Sequence, residues 1–221
     1  MRRSVMRLVR SAVITVTALA VSLPAVVAAQ GAYADEHRKL DAVAIGDSVM
    51  LGAKSQLKAA GVRKVDAAVS RQASSGPGLV RDRGAALPEH VVVHLGTNGT
   101  YTMKMCRRLV RAAGPARTVY LVTVKVPRSW EDVNNRMLRR CAEKFGSDRV
   151  VLLDWNSIAS KNPEYLYADG YHLRPEGAKA FARMVRKAIS TPQTLGQAGP
   201  CRGVSEECTS RPLKASGSAA G

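Results

Sequence analysis

From Leu40 onward, short runs of aliphatic residues alternate with longer stretches of mixed polarity. Ala42 to Ile45, Val65 to Val69, His90 to Leu95, Val119 to Val124 and Val150 to Asp154 are brief, nearly continuous apolar runs. Such runs predict strands buried on both faces, which is the signature of a parallel sheet. Between them, Val49 to Ala60, Met103 to Ala113, Trp130 to Phe145 and Pro175 to Ile189 predict helices. Gly61, Gly114-Pro115 and Gly146 stop the first three, and Pro175 sits in the first turn of the fourth, where a helix tolerates it. Gly76 to Ala86 is a weaker helical stretch that opens on the turn signal Gly76-Pro77-Gly78, and Asn156 to Leu173 reads as a loop. The expected fold class is α/β: a doubly wound, flavodoxin-like three-layer sandwich with a five-stranded parallel sheet. No internal repeat is visible.

The two ends of the chain break this rhythm. Arg2, Arg3, Arg7 and Arg10 precede an apolar run from Ala12 to Ala29, and Ala32-Tyr33-Ala34 offers a small-x-small cleavage site. Residues 1–34 are therefore expected to be a signal peptide, with Ala29 as an alternative boundary. A retained anchor is the rival reading, but Ser11, Thr15, Thr17, Ser22 and Pro24 dilute the run. The expected product is extracytoplasmic and, once cleaved, has no stable membrane span. Residues 35–189 would form the folded domain. Residues 190–221, rich in Gly, Pro, Ser and Thr, would form an irregular tail.

Four cysteines suit an oxidising compartment: Cys106, Cys141, Cys201 and Cys208. They allow three pairings, and the local one is favoured. Cys201 with Cys208 closes a short loop in the tail, and Cys106 with Cys141 staples two helices. No CxxC pair or adjacent histidine suggests a metal, and no phosphate-binding or dinucleotide fingerprint appears, so no cofactor is expected.

The chain has 221 residues and a formal charge of +17. Setting the four leader arginines aside leaves 30 basic against 17 acidic residues. Such a balance often means nucleic acid, but an exported chain meets anionic envelope polymers first. Nucleic acid is not expected as a partner. A solvated basic surface is the bland alternative to an anionic polymer.

In a sheet of this type, ligands bind beyond the carboxyl ends of the strands. Three polar clusters fall there: Gly46-Asp47-Ser48, Gly96-Thr97-Asn98 and Asp169-Gly170-Tyr171-His172. Ser48, between strand and helix, is a candidate nucleophile, though a serine there is commonly just a helix cap. His172 is the candidate base, held in one tautomer by Asp169. Asn98 and the Ser48 amide are candidate oxyanion donors. Asp47 is expected to hold the nucleophile turn through backbone hydrogen bonds. His94 is read as structural, and Trp130 and Trp155 as core or loop anchors. Tyr101, Tyr165, Tyr167 and Tyr171 either pack loops or line a pocket.

With these blocks the sequence resembles the SGNH hydrolase family of GDSL-like esterases. Ala44-Ile45-Gly46-Asp47-Ser48 matches its nucleophile block, Gly96-Thr97-Asn98 its oxyanion block and Asp169-Gly170-Tyr171-His172-Leu173 its Asp-x-x-His block. The resemblance implies Ser48, Asp169 and His172 as catalytic residues, with Ser48, Ser70 and Asn98 forming the oxyanion hole. Ser70 stands where the family's second block carries glycine, and Gly99 where many members carry aspartate. Both departures, with Val69-Ser70-Arg71-Gln72 and Arg128-Ser129-Trp130 leading to Asn134, resemble the extracytoplasmic SGNH domains of peptidoglycan O-acetyltransferases. That branch implies a small-molecule or glycan ester as substrate. Hydrolysis of a short acyl ester is the expected reaction, because no multi-span acyl-delivering half accompanies the domain. Transfer to envelope sugars and a non-catalytic module binding an anionic envelope polymer are the alternatives.

Overall fold

The computed structural model describes residues 39–191. Five strands, β1 (Leu40–Gly46), β2 (Val62–Ala67), β3 (His90–His94), β4 (Thr118–Val122) and β5 (Val150–Leu153), pair in the order β2-β1-β3-β4-β5. Every pairing is parallel. Among the described residues, seven α-helices connect or follow them: α1 (Ser48–Gly52), α2 (Lys54–Ala59), α3 (Gly76–Arg81), α4 (Met103–Ala113), α5 (Glu131–Phe145), α6 (Trp155–Lys161) and α7 (Pro175–Ser190). This is the flavodoxin-like, doubly wound order predicted from the alternating pattern.

The strands divide the core by alternate residues, because successive side chains point to opposite faces. Ala42 and Ala44 of β1 and Tyr120 and Val122 of β4 face a layer containing Trp155 and Phe181. Val43 and Ile45, with Val91, Val93, Val119 and Leu121, face the layer of α3, α4 and α5. The small alanines leave room for the aromatic rings of the first layer, where Trp155 and Phe181 pack edge to face at 5.2 Å. The second layer is almost wholly aliphatic. There Cys106 of α4 and Cys141 of α5, both fully buried, form a disulfide with Cα atoms 6.1 Å apart. The expected Cys106–Cys141 bond is therefore present; Cys201 and Cys208, the expected signal peptide and most of the expected tail lie outside the described residues. Among the described residues, no helix is long and apolar enough to cross a membrane.

Three boundaries depart from the pattern. The second strand lies earlier than Val65 to Val69: Val62 and Val65 supply its buried positions, while Val69 is 70% exposed in the following loop. The stretch from Val49 to Ala60 is broken into α1 and α2 at Gly52-Ala53, since glycine propagates a helix poorly. Asn156 to Leu173 is not all loop, because α6 begins directly after β5. Asp154 caps α6, accepting the Ser157 N–H at 3.3 Å, while Trp155 and Ala159 bury its inner face. A 3-10 turn (Pro163–Tyr165) follows. The weak helix at Gly76 is confined to α3, with 3-10 turns at Ala73–Ser75 and Gly84–Ala86.

Candidate active site

The chain reverses its direction across the sheet between β1 and β3, and a crevice forms where such neighbours send their connections to opposite sides. The ends of these two strands deliver Gly46-Asp47-Ser48 and Gly96-Thr97-Asn98. Gly46 is needed for the turn into α1: a Cβ there would lie 2.4 Å from the Met50 Cβ. Asp47 caps the helix, its Oδ1 accepting the Val49 N–H at 3.1 Å, and its own N–H donates to the His94 carbonyl at 3.2 Å. The turn is thus stitched to β3, as expected of a structural aspartate. Ser48 opens α1, where a backbone N–H has no partner within the helix.

Beneath the turn, the His94 Nδ1 lies 3.3 Å from Asp47 Oδ1, both side chains being buried. The imidazole meets Phe181 edge-on at 5.5 Å. Neither His94 nitrogen completes an aligned hydrogen bond, so proximity rather than a formed bond couples the pair. Burial pushes the Asp47 carboxyl upward, but His94 and the Val49 amide outweigh it and hold the group below its ordinary value.

Asp169 and His172 lie on a tight turn between Leu166 and Leu173, which form an antiparallel bridge. The Tyr167 N–H donates to the His172 carbonyl at 2.9 Å, and Gly170 takes a φ of 79° that few other residues adopt. Asp169 Oδ1 accepts the Tyr171 and His172 amides, each at 3.1 Å. Its Oδ2 lies 2.7 Å from His172 Nδ1, and His172 Nε2 lies 3.1 Å from Ser48 Oγ. A carboxylate only accepts, so the imidazole proton belongs on Nδ1, leaving the Nε2 lone pair toward the serine hydroxyl.

The slight burial of Asp169 raises its carboxyl, but the His172 hydrogen bond and the two amides prevail and keep it below the usual range. The stabilisation this depressed group supplies is therefore complete above the ordinary carboxylate range. It is lost only as pH falls through the lowered value.

The third loop is clamped from α5. Asn134, fully buried, donates through Nδ2 to the Gly96 and Gly99 carbonyls at 2.9 and 2.8 Å and accepts the Tyr101 N–H at 2.7 Å. Gly96, with φ of 127°, leaves room for it, since a Cβ there would come within 3.2 Å of Asn134 Nδ2. Trp130 Nε1 donates to the Thr97 carbonyl at 3.3 Å.

From the other side, Asn98 Nδ2 donates to the Arg71 carbonyl at 3.4 Å. The Arg71 guanidinium donates to the Gly46 and Asp66 carbonyls at 3.2 and 2.5 Å and pairs with the Asp66 carboxylate at 2.8 Å. Arg83 joins the same carboxylate. Arg71 therefore ties together the ends of β1 and β2 and the Asn98 loop. The sequence singled out Arg71 and Asn134 only as parts of a family pattern. For Asn134, a polar residue in line with the buried face of a helix was the available signal.

Ser70 adopts φ of 57°, the left-handed region that glycine enters without strain. Ser70 and Asn98 line one cavity of about 270 Å³, together with Gln72, Arg128, Trp130 and Tyr171. The Tyr171 ring is 4.2 Å from that of His172, so the cavity adjoins the imidazole. Trp130 both anchors the loop and walls the cavity. Tyr101 is buried, and that burial pushes its hydroxyl upward in pKa. Tyr165 packs against the core, and Tyr167 lies under Arg174 at 5.7 Å. Among the described residues, no group of three or more His, Cys, Asp or Glu is placed to hold a metal ion.

Replacing Asn98 with alanine removes a donor whose bond to the Arg71 carbonyl is long, at 3.4 Å. Turnover of a short-chain aryl ester is expected to fall about 10²–10³-fold. Steady-state kinetics should show the loss in kcat, with the thermal midpoint little changed.

No family model matches the chain. It is 36% identical over 154 residues to YrhL of Bacillus subtilis, provisionally named a peptidoglycan O-acetyltransferase. That match covers 68% of this chain and 24% of the relative, so the chain spans about a quarter of the length of the curated relative. The C-terminal catalytic domain of peptidoglycan O-acetyltransferase A from Streptococcus pneumoniae superposes with a TM-score of 0.60 at 24% identity, covering 67% of this chain and 91% of that domain. A member of the lipolytic G-D-S-L family from Veillonella parvula gives a TM-score of 0.51 at 14% identity, covering 66% and 96%. At these identities the two structures speak for the fold alone. Taken with the sequence relationship to YrhL and the three loop blocks at the sheet's carboxyl edge, they show that the chain belongs to the SGNH hydrolase family.

Proposed function

We propose that this protein is an exported serine enzyme acting on acyl esters, O-acetyl groups of an envelope glycan foremost, through an acyl-enzyme on Ser48. The observation that carries this reading is the relay Ser48 Oγ to His172 Nε2 at 3.1 Å and His172 Nδ1 to Asp169 Oδ2 at 2.7 Å. His172 Nε2 takes the proton as Ser48 Oγ bonds to the ester carbonyl carbon. The oxygen of that carbonyl becomes the oxyanion, facing the Ser48 amide, Asn98 Nδ2 and the Ser70 amide. As the tetrahedral intermediate collapses, the bond to the alcohol oxygen breaks, and that oxygen leaves with the proton from His172. Asp169 keeps the imidazole in the required tautomer and stabilises its cationic form.

Deacylation repeats these steps with a second nucleophile. Water makes the enzyme an esterase, and the His172 side chain, 37% exposed, lies open to it. A sugar hydroxyl would make it a transferase. The 36% identity to a relative named as a peptidoglycan O-acetyltransferase speaks for that second reading. The exposed imidazole favours water, however, and hydrolysis is the reaction we propose. The 270 Å³ cavity walled by Trp130 and Tyr171 suits a sugar-sized group, since aromatic rings pack against the apolar faces of a pyranose.

Product partition separates the two. The protein is given an activated acetyl ester with and without a peptidoglycan-derived oligosaccharide, and acetate and acetylated glycan are quantified. Acetate as the dominant product in both cases is the expected result. Acetylated glycan in place of acetate would reassign the enzyme as a transferase, and no turnover of any acyl ester would remove the proposal.

A further inference from the structure

We infer that the flank of α4 carries a second binding site, a cationic groove for a linear polymer of phosphodiesters on a non-aromatic backbone. Two adjoining depressions, of about 1020 and 470 Å³, share Arg111. The larger also presents Arg81, Lys104 and Arg108, and the smaller adds Arg107, Lys144 and Arg149; neither is lined by a carboxylate. Lys104, Arg108 and Arg111 are exposed and follow the i, i+4, i+7 spacing that puts them along one side of α4. At 1.5 Å per residue they span roughly 10 Å of its axis. Like charges at this spacing repel and cost the isolated helix stability, a cost that a bound chain of anions relieves.

The chemistry of the lining selects the ligand. Guanidinium groups present paired N–H donors that match phosphate oxygens in two-point contact. Phe145, half-buried, is the one aromatic residue in the lining of either depression. A single-stranded nucleic acid would call for stacking platforms along such a track, whereas a polyol phosphate asks only for spaced cations. Ser74 and Thr102 are among the residues lining the larger depression. Ser74 lies two residues from Gln72, which lines the candidate active-site cavity. The smaller depression runs between α4 and the end of α5, the two helices joined by Cys106–Cys141. A polymer seated there would lead from the edge of the ester site down one side of the molecule. Binding does not depend on whether Ser48 turns over an ester.

The test titrates the full protein with a labelled glycerol phosphate oligomer at low and physiological salt. Wild type is expected to bind, with affinity falling steeply as salt rises. Arg108→Glu/Arg111→Glu should weaken binding at least about tenfold and flatten the salt slope, as should the milder Arg108→Gln/Arg111→Gln. Arg183→Glu/Lys187→Glu, which removes exposed charge from α7, should leave binding close to wild type. Thermal midpoints matching wild type establish that the variants fold. Three results would overturn the inference: unchanged binding by the α4 variants, an equal loss in the α7 variant, or equal affinity for single-stranded DNA with the same number of phosphates.

Discussion

Replacing Ser48 with alanine is expected to lower ester turnover by about 10⁴-fold or more. Among the described residues, the Ser48 hydroxyl is the group placed to receive an acyl while hydrogen-bonded to His172 Nε2. What remains would be the oxyanion donors and substrate binding, which in serine hydrolases leave a rate well above that in water. The substitution should not disturb folding, because Asp47 and not Ser48 caps α1. Equal thermal midpoints for the two proteins, measured alongside the kinetics, assign the loss to chemistry. Retention of activity within a few-fold would mean that another group accepts the acyl.

The second large effect concerns stability. The Cys106–Cys141 bond closes a loop with a sequence separation of 35 residues. Chain entropy values such a closure at about 4 kcal/mol, which for a domain of this size lowers the melting temperature by about 8–15 °C. The layer it joins buries one large ring, Tyr101, where the opposite layer buries Trp155, Phe181 and Tyr120. Differential scanning calorimetry of the Cys106→Ala/Cys141→Ala protein should therefore show a markedly earlier transition. Activity at 25 °C should persist, because neither sulfur belongs to the Ser48 loops. A midpoint shift within a degree or two would show that packing, not the bond, holds α4 to α5.

The strands were legible because each is a nearly continuous apolar run, and their order followed from alternation with helices. Residues in the second strand misled by hydrophobicity alone: Ala67-Ala68-Val69 reads as sheet, yet Val69 points to solvent in the loop that carries Ser70. Helix α6 was hidden because the capping signal of Asp154 overlapped the end of an apolar run.

At the site, Ser48, Asn98, Asp169 and His172 stood out as polar residues in short blocks at strand ends. The structure brings Ser48, Asp169 and His172 within hydrogen-bonding reach and sets Asn98 beside Ser70. Of their supports, Asp47 and Trp130 were legible as anchors and the long-range contacts were not. Asn134 acts on a carbonyl 38 residues away and Asn98 on one 27 residues away, and His94 meets Asp47 only through strand pairing. Roles of that kind arise from tertiary contacts, which local spacing does not encode.

Mass spectrometry of the protein quenched during reaction with an activated acetyl ester tests the central claim most directly. A single acetyl group, mapped by peptide digestion to Ser48 and absent when His172 is replaced by alanine, is the predicted result. Steady turnover with the acetyl group on another side chain, or with no acetylated protein even under rapid acid quench, would contradict it.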